Sequence, residues 1–280
     1  MASPQTTVTS SEAWSPDVIG FMPQDVIGDA LILKTSTVAG QAEGDDVSVR
    51  VPWYDADDSA AVTAEGDTID EAEPTLAETV IDTAKVATLL RVSREQYRQS
   101  SAAQLLSTGV QRAIITKSDD LYLNSATDPK GLLEQTIIDS HGLDESLDGL
   151  ADLMAELQDN GAMPDVIVAS PAAMGRLRKF KVGADFNASL LGAGSQDMQP
   201  SLFGVPLLVN RAVPAGDLVV IDSTQIASVV GSVELAVSDQ YYFDSDSIAI
   251  RCTFRFGAKL MRDNVAGKLT VTDPDVGTGS

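Results

Sequence analysis

Three aspartates close together, Asp55, Asp57 and Asp58, come nearest in this sequence to the type and spacing of a metal site. An EF-hand loop binds calcium through carboxylates at alternate positions, and it also requires glycine at its sixth position and glutamate at its twelfth. Here those positions hold Ala60 and Gly66, so the calcium-loop pattern fails. A solvated or partner-facing acidic segment is the better interpretation.

Few other residues could carry out catalysis or bind a cofactor. The one histidine, His141, lies in a polar stretch, and the one cysteine, Cys252, lies on the apolar face of a predicted strand. We expect surface and core roles for them, because one of each leaves little for Cys/His or Ser/His catalysis. Residues 192–194, Gly-Ala-Gly, begin like a dinucleotide-binding motif, but Asp197 replaces the third glycine. The sequence therefore predicts no catalytic, metal or cofactor site.

The charge balance excludes further classes of protein. The 280 residues carry a formal net charge of −22, which argues against binding to nucleic-acid phosphates and against docking on anionic membranes. Apolar residues make up 44% and charged residues 21%, which is typical of a folded chain. With no signal-peptide pattern and no long apolar run, we expect a soluble protein made in a reducing cytoplasm.

The charges are unevenly distributed along the chain. Residues 41–78 contain twelve acidic residues and a single base, Arg50. Bases predominate in residues 85–117 and again in residues 251–268. Two interpretations stay open: a solvated acidic loop, or an acidic arm that lies on a basic surface, including that of a neighbouring subunit.

The first half of the chain must position these charges. Residues 1–40 read as an extended arm with one short helix near 25–33. Apolar and polar residues alternate over 47–53 and again over 84–92, which predicts two strands joined by a polar tip at 54–74. Such a hairpin has too little apolar surface to stand alone in water, so it must pack against something.

The second half alternates between helices and strands. Ser93 and Gln96 have capping-box spacing and open a predicted helix of about 25 to 30 residues. A compact α/β unit follows, with helices expected at 146–158 and 170–180 and strands at 165–169, 205–210 and 218–221. Seven apolar residues alternate with mainly small or basic ones over Ile248–Leu260, which predicts a long strand with one buried and one basic face.

Several short motifs in this order carry a family resemblance. Residues 117–124 and 128–133 resemble an acidic helix end followed by a Pro-x-Gly-aliphatic turn, and 202–209 resembles a Leu-x-Gly-x-Pro-aliphatic strand. Residues 213–222 continue the match, and Ile248–Leu260 looks like a basic C-terminal strand. Together these motifs resemble the major capsid proteins of tailed bacteriophages with the Hong Kong 97-type fold. The resemblance covers nearly the whole chain.

The resemblance implies an α+β fold of five parts. These are an N-terminal arm (1–40), an extended β-hairpin loop (41–84), a peripheral α+β domain with a long spine helix (85–131), an axial α/β domain (132–228), and peripheral C-terminal strands and tail (229–280). It further implies a non-enzymatic structural protein that self-assembles into pentamers and hexamers of an icosahedral head. That head encloses double-stranded DNA without binding it specifically, and we expect no membrane partner.

The same resemblance suggests which residues form subunit contacts. The acidic-loop group comprises Trp53, Tyr54, Asp55, Asp57, Asp58, Glu65, Asp67, Asp70 and Glu71. The basic group comprises Arg91, Arg94, Arg98, Arg251, Arg255, Lys259 and Arg262. We expect the loop of one subunit to lie on the basic group of its neighbour, so that glutamate at Arg94 or Arg255 should impair assembly more than folding.

Two departures from the family matter. Some members crosslink subunits through a lysine of the extended loop, but this sequence has no lysine between Gln41 and Ala84, so we expect a non-covalent shell. No scaffold-like domain precedes the arm, so we expect a separate scaffolding protein beside a portal and decoration proteins. Assembly is expected in the host bacterial cytoplasm, and the mature location in the virion capsid.

Two alternatives stay open. An encapsulin, the shell of a bacterial compartment around enzyme cargo, would have the same fold. An α/β hydrolase or binding domain would use residues 132–225, but the missing triad and the single histidine count against it.

Overall fold

The computed structural model describes residues 18–43, 46–55, 62–63, 75–97, 102–139, 142–144, 146–183, 186–189 and 200–273. The helices are α1 (Pro23–Ile27), α2 (Leu31–Thr35), α3 (Arg94–Tyr97), α4 (Ala102–Asn124), α5 (Asp148–Asp159) and α6 (Pro171–Leu177). The strands are β1 (Val18–Phe21), β2 (Thr37–Gln41), β3 (Ser48–Asp55), β4 (Thr75–Asp82), β5 (Ala84–Ser93), β6 (Ile138–Asp139), β7 (Val166–Ala169), β8 (Lys181–Gly183), β9 (Phe186–Ser189), β10 (Ser201–Leu202), β11 (Val205–Val209), β12 (Asp217–Ile221), β13 (Ile226–Val230), β14 (Val233–Tyr242), β15 (Ser247–Leu260) and β16 (Ala266–Thr270). Among these helices, none is long and apolar enough to cross a membrane.

The first sheet is built around β15, whose 14 residues pair antiparallel with β5, β13 and β14. β1 pairs with β14 and β2 with β13. The predicted apolar face is confirmed, since Cys252, Phe254 and Phe256 are buried in the main core with Ile114 of α4. Alternation places every second side chain of β15 on this face.

The hairpin is formed by β3 and β4, paired from Ser48 opposite Asp82 to Asp55 opposite Thr75. The prediction that strand 84–92 returns from the tip is therefore wrong: β4 returns, and β5 joins the first sheet beside β15. In the sequence, each face of β4 mixes apolar and polar residues, so its period of two is weak. β5 has the stronger alternation because one of its faces lies on the core.

The predicted long helix is present as α4, which has 23 residues and is about 35 Å long. The predicted cap is also present, because the Gln96 amide donates to Ser93 Oγ at 3.2 Å, but it opens the four-residue helix α3. The N-terminal part contains two short helices, α1 and α2, where one was expected. The side of α4 that packs on the main core is marked by the buried residues Val110, Ile114 and Leu123.

The second sheet has the strand order β10-β11-β7-β12-β16-β6. Ser170 caps α6 as predicted, because Ser170 Oγ accepts from the Ala173 amide at 3.1 Å. Residues 229–280 are expected to stay with the long strand, but β16 leaves it and pairs with β12, from Ile221 opposite Ala266 to Asp217 opposite Thr270. The apolar residues of β16 thereby complete the core of this sheet.

Candidate functional site

The hairpin crosses the first sheet at Gly257, on the face opposite the main core. A Cβ atom at that position would overlap the carbonyl oxygen of Asp82, so glycine is required for the close approach. Val51 and Ile81 of the hairpin are buried there in a small apolar cluster with Val229 of β13. The root of the hairpin is thus packed on its own subunit.

Two residues of the predicted basic group hold this root. Arg255 Nη1 donates to the carbonyl oxygen of Asp46 at 3.2 Å and to Thr83 Oγ1 at 3.1 Å. Lys259 Nζ donates to the carbonyl oxygen of Val80 at 3.3 Å. Both cations therefore act within the subunit, and a contact with a neighbour stays a prediction for them.

Two other predicted bases also have partners inside the chain. Arg94 Nε lies 2.8 Å from a carboxylate oxygen of Asp246, and Arg94 Nη2 donates to the carbonyl oxygen of Asp239 at 2.9 Å. The guanidinium carbon of Arg262 lies 5.6 Å from the ring centroid of the half-buried Trp53, within cation–π range. The contacts of Arg94 join the end of β5 to β14 and its connection to β15, and that of Arg262 joins the end of β15 to the hairpin.

Arg91 and Arg251 share an exposed part of the same face. Strand register places Arg91 opposite Ala249 and Arg251 opposite Leu89, so the side chains of Arg91, Arg251 and Leu89 point to one side. Leu89 is 51% exposed, although it lies in the middle of a strand. Arg91 contacts Ser247 and the ring of Tyr242, yet it stays exposed.

Most of the predicted acidic-loop group lies outside the described residues. This applies to the side chains of Tyr54 and Asp55, to Asp57, Asp58, Glu65, Asp67, Asp70 and Glu71, and also to Arg98, His141 and residues 192–194. Within the described part of the chain, no group of three potential metal ligands converges.

A junction that the sequence did not reveal lies at Asp119, a carboxylate only 4% exposed on α4. Asp119 Oδ1 accepts from the Leu31 amide at 2.8 Å, and Oδ2 accepts from Asn210 Nδ2 at 2.7 Å. Asn210 Oδ1 in turn accepts from the Ala212 amide at 2.8 Å. A carboxylate three and four residues before the apolar Tyr122 and Leu123, on the same helix face, is the signal that could have indicated it.

The junction is buried enough to shift the pKa values of its ionisable side chains. Burial raises the pKa of Asp119 above its usual range, against the opposing effects of its two hydrogen bonds and of the cations Lys34 and Arg211. Burial likewise raises the pKa of Tyr122, whose hydroxyl lies 2.9 Å from Thr35 Oγ1. Helix α2 is therefore tied to α4 at two points. A cleft of about 1120 Å³ opens beside the junction.

Comparisons with known proteins agree with this architecture. The sequence model of the phage capsid family matches residues 30–271. A structure from Mycobacterium phage Bobi has 16% identity and a TM-score of 0.63 over 96% of this chain and 99% of that one. A structure from Microbacterium phage Oxtober96 has 13% identity and a TM-score of 0.67 over 95% and 99%. The structure titled "Capsid of native GTA particle computed with C5 symmetry" has 15% identity and a TM-score of 0.65 over 97% and 96%.

No curated protein sequence matched the chain. The structural likenesses confirm the fold class expected from the sequence, the α+β Hong Kong 97-type fold.

Proposed function

This chain belongs to the phage capsid family, and from that premise we propose that it forms the pentamers and hexamers of an icosahedral phage head that encloses double-stranded DNA. It is a structural protein of the virion capsid that associates with copies of itself. The observation that carries the proposal is the family match over 242 of 280 residues, from residue 30 to residue 271. A separate scaffolding protein, a portal and decoration proteins are proposed partners in the host cytoplasm.

The proposed domains follow the two sheets. The first sheet with α4 is the peripheral domain, the β3–β4 hairpin is the extended loop, and the second sheet with α5 and α6 is the axial domain. β16 belongs to the axial domain in this division, because it pairs with β12.

We propose that the face around Arg251 receives the acidic loop of a neighbouring subunit. We name this the basic face and define it by Lys85, Leu89, Arg91 and Arg251, which the strand register places on one side of the first sheet. The remaining predicted bases near it contact their own subunit, whereas Arg251 is exposed. Residues 41–78, with twelve acids and one base, supply the complementary charge.

Charge reversal at Arg251 tests this contact. Since Arg251 is exposed, we expect Arg251→Glu to change monomer stability by less than about 0.5 kcal/mol. If the contact weakens by about 1.4 kcal/mol per site, its equilibrium constant falls about tenfold, and the yield of closed particles, which contain many such sites, should fall by at least that factor. Lys181→Glu makes the same charge change on an exposed residue away from the basic face and is the matched control. Normal assembly of the Arg251→Glu variant would overturn the proposed contact.

Negative-stain electron microscopy of the purified protein tests the function itself. Closed shells of phage-head size, or capsomers that close when a scaffolding protein is added, are the expected result. Small shells around enzyme cargo would indicate an encapsulin-type compartment instead. A protein that forms neither shells nor capsomers under any of these conditions would contradict both readings.

A further inference from the structure

Asp119 joins three segments that are far apart in the sequence: helix α4, helix α2 through Leu31, and the loop after β11 through Asn210. We propose that Asp119 is a proton-sensitive latch, which in its ionised form holds that loop against α4 and on protonation releases it. The local behaviour does not depend on the proposed function. Only its use in a shell does, where it would loosen the axial domain from the helix.

The direction of the hydrogen bonds is what makes the latch sensitive to a proton. Both groups that face the carboxylate are donors, the Leu31 amide and Asn210 Nδ2. Asn210 cannot turn its oxygen towards Asp119 without cost, because that oxygen already accepts from the Ala212 amide. Protonation removes the charge of the carboxylate and, at Oδ2, turns one acceptor site into an O–H donor, so the hydrogen bond from Asn210 Nδ2 is no longer charge-assisted and weakens.

Charged groups on every neighbouring element set the ionisation of Asp119. Lys34 on α2 and Arg211 on the loop favour the carboxylate, whereas burial favours the neutral acid and prevails, so the pKa is raised. The hydroxyl of Tyr122 on α4 is hydrogen-bonded to Thr35 Oγ1. The other charged residues lining the adjoining cleft are Asp29, Arg112, Lys117 and Asp120.

The direction of this pKa shift decides how the stability of the folded state responds to acid. A carboxyl whose pKa is raised by folding binds its proton in the folded state before it does so in the unfolded chain, so this group favours the folded state as the pH falls. Acid therefore opens the latch without this carboxyl lowering the stability of the fold. Release is partial, since Asn124 Nδ2 still donates to the Ala212 carbonyl at 2.7 Å and Arg211 Nη2 to Thr116 Oγ1 at 2.5 Å.

Hydrogen exchange of the Ala212 amide in the full, unassembled chain tests the latch. In the wild type, we expect protection, corrected for the intrinsic exchange rate, to fall about tenfold between pH 7 and an acidic pH at which the Asp119 carboxyl is protonated. Asp119→Asn imitates the protonated state and should show the low protection at both pH values. The double variant Asp119→Asn/Asn210→Asp restores matched donors and acceptors, with the carboxylate now on the more exposed residue, and should keep high protection at both.

Equal wild-type protection at the two pH values would overturn the proposal, and so would a double variant as unprotected as Asp119→Asn. The wild-type comparison needs no variant, so it remains decisive if Asp119→Asn does not fold. Because it uses unassembled protein, its failure is distinct from a failure to form shells.

Discussion

Gly257 is the residue on which the seating of the hairpin depends. An added Cβ would overlap the Asp82 carbonyl oxygen and approach Ile81 Cγ2 to 3.1 Å, and Gly257 cannot move away easily because it is paired with Val229 within the sheet. We expect Gly257→Ala to lower the free energy of unfolding by about 1–3 kcal/mol. Hydrogen exchange should be faster in β3 and β4 but unchanged in the second sheet. Urea unfolding gives the first quantity.

Gly109→Ala is the matched control for that substitution. Gly109 lies within α4, and nothing lies within 4 Å of a Cβ added there. Alanine should therefore raise the free energy of unfolding by about 0.5–1 kcal/mol, because it restricts the unfolded chain and favours helix. If both variants behave alike, the strand crossing at Gly257 does not constrain the hairpin.

At the scale of elements, a side chain takes the place of a missing strand. β5 pairs with β15 only as far as Ala84 opposite Phe256. Further along β15, Gln135 Oε1 accepts from the Leu260 amide at 2.8 Å, and Gln135 Nε2 donates to the Ala258 carbonyl at 3.3 Å. The amide of Gln135 thus continues the ladder and fixes the segment after α4 to the first sheet.

Gln135→Ala tests how much stability this side chain contributes where it takes the place of a strand. It leaves the N–H of the buried Leu260 without its acceptor, which costs about 1–3 kcal/mol of stability. Gln135→Glu keeps an acceptor for Leu260 but sets a carboxylate oxygen against the carbonyls of Lys130 and Ala258, so it should also lose stability while the Leu260 amide stays protected from exchange. The measurement is denaturant unfolding together with exchange of the Leu260 amide. Unchanged exchange in Gln135→Ala would show that another group or water replaces the glutamine.

The elements that the sequence predicts are those whose signals are local. The period of β15, the length of α4 and the Ser170 cap each depend on residues close together in the chain, and all three are present. The pairing of β16 with β12 and the Asp119 junction depend on partners 45 to 91 positions away, which composition and period do not encode. The basic group is intermediate: its members are visible in the sequence, but the contact of Arg255 with the subunit's own hairpin is not.

At the scale of the whole molecule, the net charge of −22 is unevenly distributed, since residues 41–78 contribute twelve acidic residues and one base. Arg255 and Lys259 contact carbonyl and hydroxyl groups at the hairpin root. In a DNA-filled shell, an acidic subunit would also limit adhesion of the packaged DNA to the wall.

The same whole-molecule view predicts that shells of this protein are held by non-covalent contacts. The extended loop lacks the lysine that an isopeptide crosslink requires, since no lysine lies between Gln41 and Ala84. A disulfide between subunits is also disfavoured, because Cys252 is 3% exposed and burial raises the pKa of its thiol, which lowers its reactivity. Mature particles should give a single monomer-sized band on denaturing electrophoresis, with and without reductant.

Unassembled protein run beside the particles is the control, since both samples should migrate alike. A ladder of multimers that persists with reductant would refute the non-covalent shell, and one that disappears with reductant would show that Cys252 becomes accessible. Because charge pairing is screened by salt, a shell joined partly through the basic face should also dissociate more readily as ionic strength rises past about 0.15 M. Dissociation by salt alone would independently support a non-covalent shell, because a covalent shell would hold its subunits regardless of salt.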